Sequence, residues 1–145
     1  MRISKILCAI DFSKTSDAAL EYASSLARDR GGSLLLLHVE PPIAAYGDIP
    51  FYELQEPTIA EYKRRLDALA MHLGLPTTTR AVIGNPAKQI LAQASDEQVD
   101  LIVMGTHGRT GLAHVIMGST AEYVVRHAAC PVLTVKSTAE AMAAT

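Results

Sequence analysis

Backbone freedom is most concentrated in the stretch Gly105-Thr106-His107-Gly108-Arg109-Thr110-Gly111, with three glycines in seven residues, and Gly118-Ser119-Thr120 follows where a helical pattern begins. Glycine admits positive φ and lets an anion approach with no Cβ in the way, so successive N–H groups can close on phosphate oxygens. A helix N-terminus adds unpaired N–H donors and the positive end of its dipole, and the hydroxyls of Ser119 and Thr120 add donors of their own. Taken singly, each glycine reads as a turn or a cap. Spaced beside a helix start, they read as an anion cradle. The stretch carries neither the P-loop pattern G-x-x-x-x-G-K-[ST] nor the dinucleotide fingerprint G-x-G-x-x-G, so a different phosphate loop is required. A second candidate is Asp11, which ends an apolar run in Ile10-Asp11-Phe12-Ser13. Its two acceptor oxygens suit paired hydroxyls, and they suit a turn or N-cap equally well.

The elements that must hold these residues follow from periodicity. Residues 3 to 10 are almost continuously apolar after Lys5, as expected of a strand covered on both faces. Ser13 caps a helix over 14 to 30, stopped by Gly31-Gly32, and Ser33 to Val39 repeats the buried-strand pattern. Residues 40 to 56, with Pro41, Pro42, Gly47 and Pro50, four acids and no base, read as a long exposed loop. A helix follows, carrying Ile59, Tyr62, Leu66, Leu69 and Leu73, with Lys63-Arg64-Arg65 on its wet side. Thr77 to Ile83 reads as an edge strand, and Asn85-Pro86 starts a helix. Val99 to Met104 reads as another buried strand. Ser119-Thr120-Ala121-Glu122 has the form of a capping box, which would bring the Glu122 carboxylate back towards the cradle, and Pro131 to Val135 makes the last strand. Strands alternating with helices predict one parallel sheet with helices on both faces, in the flavodoxin-like α/β class, with its crevice at the carboxyl ends of the strands.

Length and composition fit one domain, 1–137, with a frayed Ala- and Thr-rich tail at 138–145. Thirteen Lys and Arg against fifteen Asp and Glu leave a formal charge of -2, so nothing marks a nucleic-acid or anionic-lipid surface. With 49% hydrophobic and 19% charged residues the chain is neither disordered nor a membrane protein, and the apolar start is too short for a span and lacks a cleavage site. The expected location is the cytoplasm. Cys8 and Cys130 form no C-x-x-C pair and read as buried thiols. His38, His72 and His127 have no metal-ligand spacing, so no protein-built metal site is expected.

The glycine pattern resembles the ATP-binding branch of the universal stress protein family, which carries glycine, two residues, glycine, nine residues, then glycine with Ser or Thr. Gly105, Gly108 and Gly118-Ser119 match it without insertion or deletion. The resemblance extends over residues 2 to 136, through Ile10-Asp11-Phe12-Ser13, His38-Val39, Gly84-Asn85-Pro86, and Val124-Val125-Arg126-His127-Ala128 with Cys130-Pro131-Val132. It implies the adenine nucleotide alpha hydrolase-like form of the fold. It also implies that Asp11 binds the ribose hydroxyls and that the Val39 backbone reads the adenine edge. Gly105, Gly108, Gly118 and Ser119, with the adjacent Thr120 hydroxyl, would hold the phosphates of ATP, bridged by Mg²⁺ or Mn²⁺. Family members commonly dimerise through the last strand, so a homodimer through 131–135 is expected.

Three functions compete on these residues. The first is a nucleotide-dependent sensor or regulator of the stress response with at most slow ATP hydrolysis, since no set of groups positions water or neutralises the departing phosphate. Arg109, His107 and His114 lie in or near the loop and read as solvated or packed side chains. The second is a partner-binding dimeric stress protein that retains no nucleotide. The third is an ATPase or kinase-like enzyme, although no G-x-S-x-G nucleophile context is present.

Overall fold

The computed structural model describes residues 2–42, 51–107 and 117–136, with 51–58 as backbone only. Along the chain the elements are β1 (Lys5–Ala9), α1 (Lys14–Arg30), β2 (Ser33–Glu40), α2 (Phe51–Met71), β3 (Thr77–Ile83), α3 (Pro86–Asp96), β4 (Leu101–Gly105), α4 (Ser119–His127) and β5 (Val132–Val135). The strands are all parallel, in the order β3-β2-β1-β4-β5, so β1 is central and β3 and β5 are the edges. This is the doubly wound flavodoxin-like architecture expected from the alternation of elements.

Side-chain period two splits the buried strands between two cores. Ile6, Cys8, Leu34 and Leu36 point to α1 and α2, where they meet Ala19, Ala23, Ala27 and Leu66. Leu7, Leu35, Leu37, Val39, Ile102 and Met104 point to α3 and α4, against Ala87, Ile90, Ala94, Ala121 and Val124. The alanine faces of the helices let their axes lie close to the sheet, and each fully buried Leu contributes about 1.5–3 kcal/mol.

Local signals set most helix ends. Ser13 takes an extended conformation (φ -80°, ψ 165°) and its hydroxyl accepts from the Ser16 N–H, which starts α1. Gly31 ends it in the left-handed region at φ 62°. Asn85 accepts from the Lys88 N–H at 3.0 Å with Pro86 in the first helical position. The expected loop over 40–56 is too long: α2 begins at Phe51 and runs through Pro57. The prolines and acids that read as loop include Glu53 and Glu56, which lie in the opening turns of the helix, where acidic residues are favoured by its dipole. Residues 43–50 and the tail expected to fray at 138–145 lie outside the described residues.

Long-range hydrogen bonds lock the strand starts. Asp100, just before β4, accepts from the Ser4 N–H at 3.0 Å and the Lys5 N–H at 2.9 Å, and so joins the starts of the two central strands. Both cysteines are free, Cys8 buried in the core and Cys130 half-buried. Burial pushes both thiols above their ordinary range. Among the described residues, no helix is long and apolar enough to cross a membrane.

Candidate functional site

Strand order reverses between β1 and β4. The chain leaves β1 into α1 on one face and leaves β4 towards α4 on the other, so the two loops part and open a crevice at the carboxyl ends of the strands. A cleft of about 260 Å³ occupies that place. Leu37, Val39, Pro41, Pro86, Ile90 and Met104 form an apolar wall, and Asp11, Ser16, Thr106, His107, Ser119 and Thr120 bring polar atoms to the same space. Gly105 and Gly118 complete the lining.

Six of the seven residues singled out in the sequence as site residues therefore surround one cleft: Asp11, Val39, Gly105, Gly118, Ser119 and Thr120. The seventh, Gly108, lies outside the described residues, as do Arg109 and His114. Within the cleft, His107 sits with its Nδ1 3.2 Å from the Thr106 hydroxyl.

The carboxylate of Asp11 is held by the turn that follows it. Its Oδ1 accepts from the Ser13 N–H at 3.0 Å and from the Ser13 hydroxyl at 2.5 Å. The same hydroxyl accepts from the Ser16 N–H at 3.2 Å, so the cap of α1 and the orientation of Asp11 depend on one oxygen atom. With Oδ1 taken twice, Oδ2 is the oxygen left to meet a hydroxyl donor in the cleft.

Across the cleft, α4 opens differently from the capping box. Its N-cap is Gly118 (φ -68°, ψ 161°), and no side chain caps it. Glu122 turns forward to Arg126, one helical turn on, at 2.9 Å. The expected return of Glu122 to the Ser119 N–H is thus corrected, because the S-x-x-E spacing begins one residue inside the helix and the i,i+4 partner is within reach. This removes the carboxylate that would repel an anion. The Gly118 N–H donates to the Thr106 carbonyl at 2.6 Å, which brings the two ends of the glycine loop together. The N–H groups of Ser119, Thr120 and Ala121 have no partner among the described residues and face outward from the helix start. Such a start attracts negative charge.

Gly105 lines the cleft and is required by packing. A Cβ there would lie 2.5 Å from Cγ2 and 3.0 Å from Cβ of Thr15, which is buried in the first turn of α1. No group of three His, Cys, Asp or Glu side chains among the described residues is placed to hold a metal ion.

Two features of the site were not read from the sequence. Phe12, next to Asp11, adopts φ 65°, unusual for an aromatic residue. His38 is wholly buried behind the same turn, with Nδ1 2.7 Å from the Ile10 carbonyl oxygen. A histidine in an apolar strand gives no sign of either contact until the strand register is known.

The profile of the universal stress protein family (Usp) matches residues 2–136. A universal stress protein of Thermus aquaticus is 37% identical over 133 residues, covering 90% of this chain and 97% of that protein. The solved structure of MJ0577, a universal stress protein of Methanocaldococcus jannaschii, superposes with a TM-score of 0.85 at 31% identity, covering 94% of this chain and 97% of that one. A universal stress protein of Archaeoglobus fulgidus, solved in complex with dAMP, shares the fold at 22% identity and a TM-score of 0.66, over 94% of this chain and 100% of that one. With the motif order, the sheet topology and these matches in agreement, the chain belongs to the universal stress protein family.

Proposed function

We propose that this chain binds ATP with Mg²⁺ or Mn²⁺ in the cleft between β1 and β4 and acts in the cytoplasm as a nucleotide-dependent sensor or regulator in the stress response. The observation that carries this reading is the pairing of an uncapped helix start at Ser119–Ala121 with an oriented carboxylate at Asp11 on the same cleft. One end suits a phosphate chain and the other suits ribose hydroxyls. The apolar wall of Val39, Pro41, Pro86 and Ile90 suits a base between them, with the Val39 backbone supplying its edge contact. Gly105, Gly108, Gly118, Ser119 and Thr120 then surround the phosphates, and the metal arrives with them. The dAMP complex of the Archaeoglobus relative belongs to that protein, and at its identity it speaks for the fold.

Hydrolysis is at most slow on this reading, because the sequence carries no recognisable set of groups to position water and neutralise the departing phosphate. Calorimetric titration of the purified protein with ATP and Mg²⁺ tests the reading, with Gly118→Val as control. Gly118 has a φ of -68° that any residue adopts, so the variant is expected to fold while its side chain intrudes on the cradle. Saturable heat in the parent protein and its loss in the variant are expected. An absence of saturable heat in the parent rejects the proposal.

The second reading is a dimeric partner-binding protein that keeps no nucleotide. Its support is β5, which among the described residues is an edge strand with Val132, Leu133 and Thr134 half-buried, the kind of edge that a second chain can extend. A homodimer through 131–135 belongs to either reading. Native mass spectrometry separates them, since co-purifying ATP favours the first and a bare dimer the second.

A further inference from the structure

His38 lies on the face of the sheet opposite the cleft, in the α1/α2 core, and is 0% exposed. Its ring is 4.1 Å from that of Tyr62 and 5.2 Å from that of Phe12, centroid to centroid. Nδ1 is 2.7 Å from the Ile10 carbonyl oxygen, and Nε2 is 2.9 Å from Glu40 Oε2.

A carbonyl oxygen only accepts, so Nδ1 carries a hydrogen. A neutral ring would then turn the lone pair of Nε2 towards a carboxylate, setting two acceptors against each other in a buried place. A proton on Nε2 removes that conflict and converts the contact into a charge-assisted hydrogen bond.

The position of His38 relative to Asp11 gives the arrangement its consequence. Ile10 precedes Asp11, and Ile10 is tied to β2 twice: its N–H donates to the Leu37 carbonyl at 2.8 Å, and its own carbonyl accepts from His38. Phe12 follows Asp11 and is held in the left-handed region at φ 65° with its ring against His38 and Tyr62. A non-glycine residue stays in that region only where its surroundings enforce it. One histidine therefore touches the residue before Asp11 and the residue after it.

We infer that His38, which donates from Nδ1 to the Ile10 carbonyl and is protonated on Nε2 against Glu40, is the positioning residue for Asp11, so that the nucleotide site is held in shape from the far side of the sheet. The inference rests on the proposed function for its ligand.

Other groups around the ring bear on the proton. Tyr62 packs on it from α2, and the Arg65 guanidinium lies 3.8 Å from the Phe12 ring centroid. Arg65 opposes a second positive charge but is exposed, so water screens it, while Glu40 is in direct contact. The partner of His38 on β3 is the uncharged Ala81. Lys14 and Asp17 in the first turn of α1 are exposed, and Asp11 is oriented by Ser13.

The test has two arms on the full chain. In the first, ¹⁵N NMR of the side chains at pH 7, with His38 assigned by its loss in His38→Asn, is expected to show protons on both ring nitrogens in the parent. Glu40→Gln, whose amide can donate to Nε2, is expected to keep only the Nδ1 proton. Nε2 without a proton in the parent overturns the inference. In the second, His38→Leu, which has no donor for Ile10, is expected to displace the backbone signals of Asp11 and weaken ATP binding roughly tenfold, the scale of one charge-assisted hydrogen bond. His38→Asn, which keeps a donor near the Nδ1 position, is expected to stay close to the parent. Unchanged Asp11 signals in His38→Leu also overturn the inference. A parent that binds no ATP, yet shows both ring protons and a displaced Asp11 in His38→Leu, upholds the positioning of Asp11 and rejects the nucleotide reading instead. Should His38→Leu fail to fold, the proton count in the parent and Glu40→Gln still decides.

Discussion

Ser13 gives two donors to one oxygen of Asp11: its N–H reaches Oδ1 at 3.0 Å and its hydroxyl at 2.5 Å. The hydroxyl oxygen simultaneously caps α1 by accepting from Ser16. Removing it in Ser13→Ala is expected to cost about 1 kcal/mol as a lost cap. It also frees Asp11 to rotate, with ATP affinity expected to fall roughly three- to tenfold as one oriented hydrogen bond loosens. Ser13→Thr keeps both bonds and is expected to restore both quantities. Thermal unfolding and calorimetry on the two variants check this, and a Ser13→Ala protein that loses stability but binds ATP at parent affinity removes Ser13 from the site.

Gly105 separates packing from binding. Its missing Cβ leaves room for Thr15, whose Cγ2 would stand 2.5 Å from any side chain placed there. Gly105→Ala is expected to destabilise the protein by about 1–3 kcal/mol through overpacking, whether or not nucleotide is present. Thr15→Ser removes the nearest atom, so the double variant is expected to recover part of the loss, a coupling that a double-mutant cycle measures. Strict additivity would place the strain elsewhere.

The sequence was most informative where the physics is local. Ser13, Asn85 and Gly31 were read correctly because a cap or a left-handed stop involves residues within four positions of each other. Asp11 and Gly105 could be sent to one end of the sheet because parallel alternation fixes which strand ends share a side, whereas Val39 was reached only through the family resemblance. The misreadings have equally physical causes. Ser119 to Glu122 has capping-box spacing, but Gly118 already occupies the cap and Arg126 offers Glu122 an ion pair one turn on. The prolines near residue 50 hid the first turns of α2, since a helix carrying Pro57 gives no uninterrupted pattern. His38 with Ile10, and Asp100 with Ser4, are contacts made by register across the sheet, 28 and 96 residues apart in the chain, and periodicity along one strand does not contain them.

Gln98 offers a test that does not involve the site. It follows the C-cap Glu97 of α3, is exposed, and holds φ 50° where glycine is the usual residue. The left-handed conformation costs an ordinary residue roughly 1–2 kcal/mol, partly offset in glycine by its greater unfolded-state entropy. Gln98→Gly is therefore expected to stabilise the protein by about 0.5–1 kcal/mol and raise Tm by roughly 2–4 °C, with ATP binding unchanged. A lower Tm would mean that the Gln98 side chain makes a compensating contact.

Asp100 makes acid stability a measurable property of the sheet. The Ser4 N–H and the Lys5 N–H hold its carboxyl below the usual carboxylate range, outweighing desolvation, and the Ser4 hydroxyl adds a smaller effect in the same direction. A depressed folded-state pKa means that the unfolded chain binds the proton more readily. The stabilisation is thus fully present above the ordinary Asp value of about 3.9 and disappears as pH falls through the lower folded value. Asp67, lowered by Lys63 and Thr79, and Glu97, lowered by Lys5 and Arg80, act in the same direction, so the parent alone does not isolate Asp100. The informative quantity is the difference between parent and Asp100→Asn. That variant is expected to unfold several degrees lower at pH 7 and to converge on the parent as pH approaches 2, measured by thermal denaturation at fixed ionic strength. A gap that stays constant from pH 7 to pH 2 would assign the loss to the altered hydrogen-bond geometry of the amide and remove the charge of Asp100 from the account.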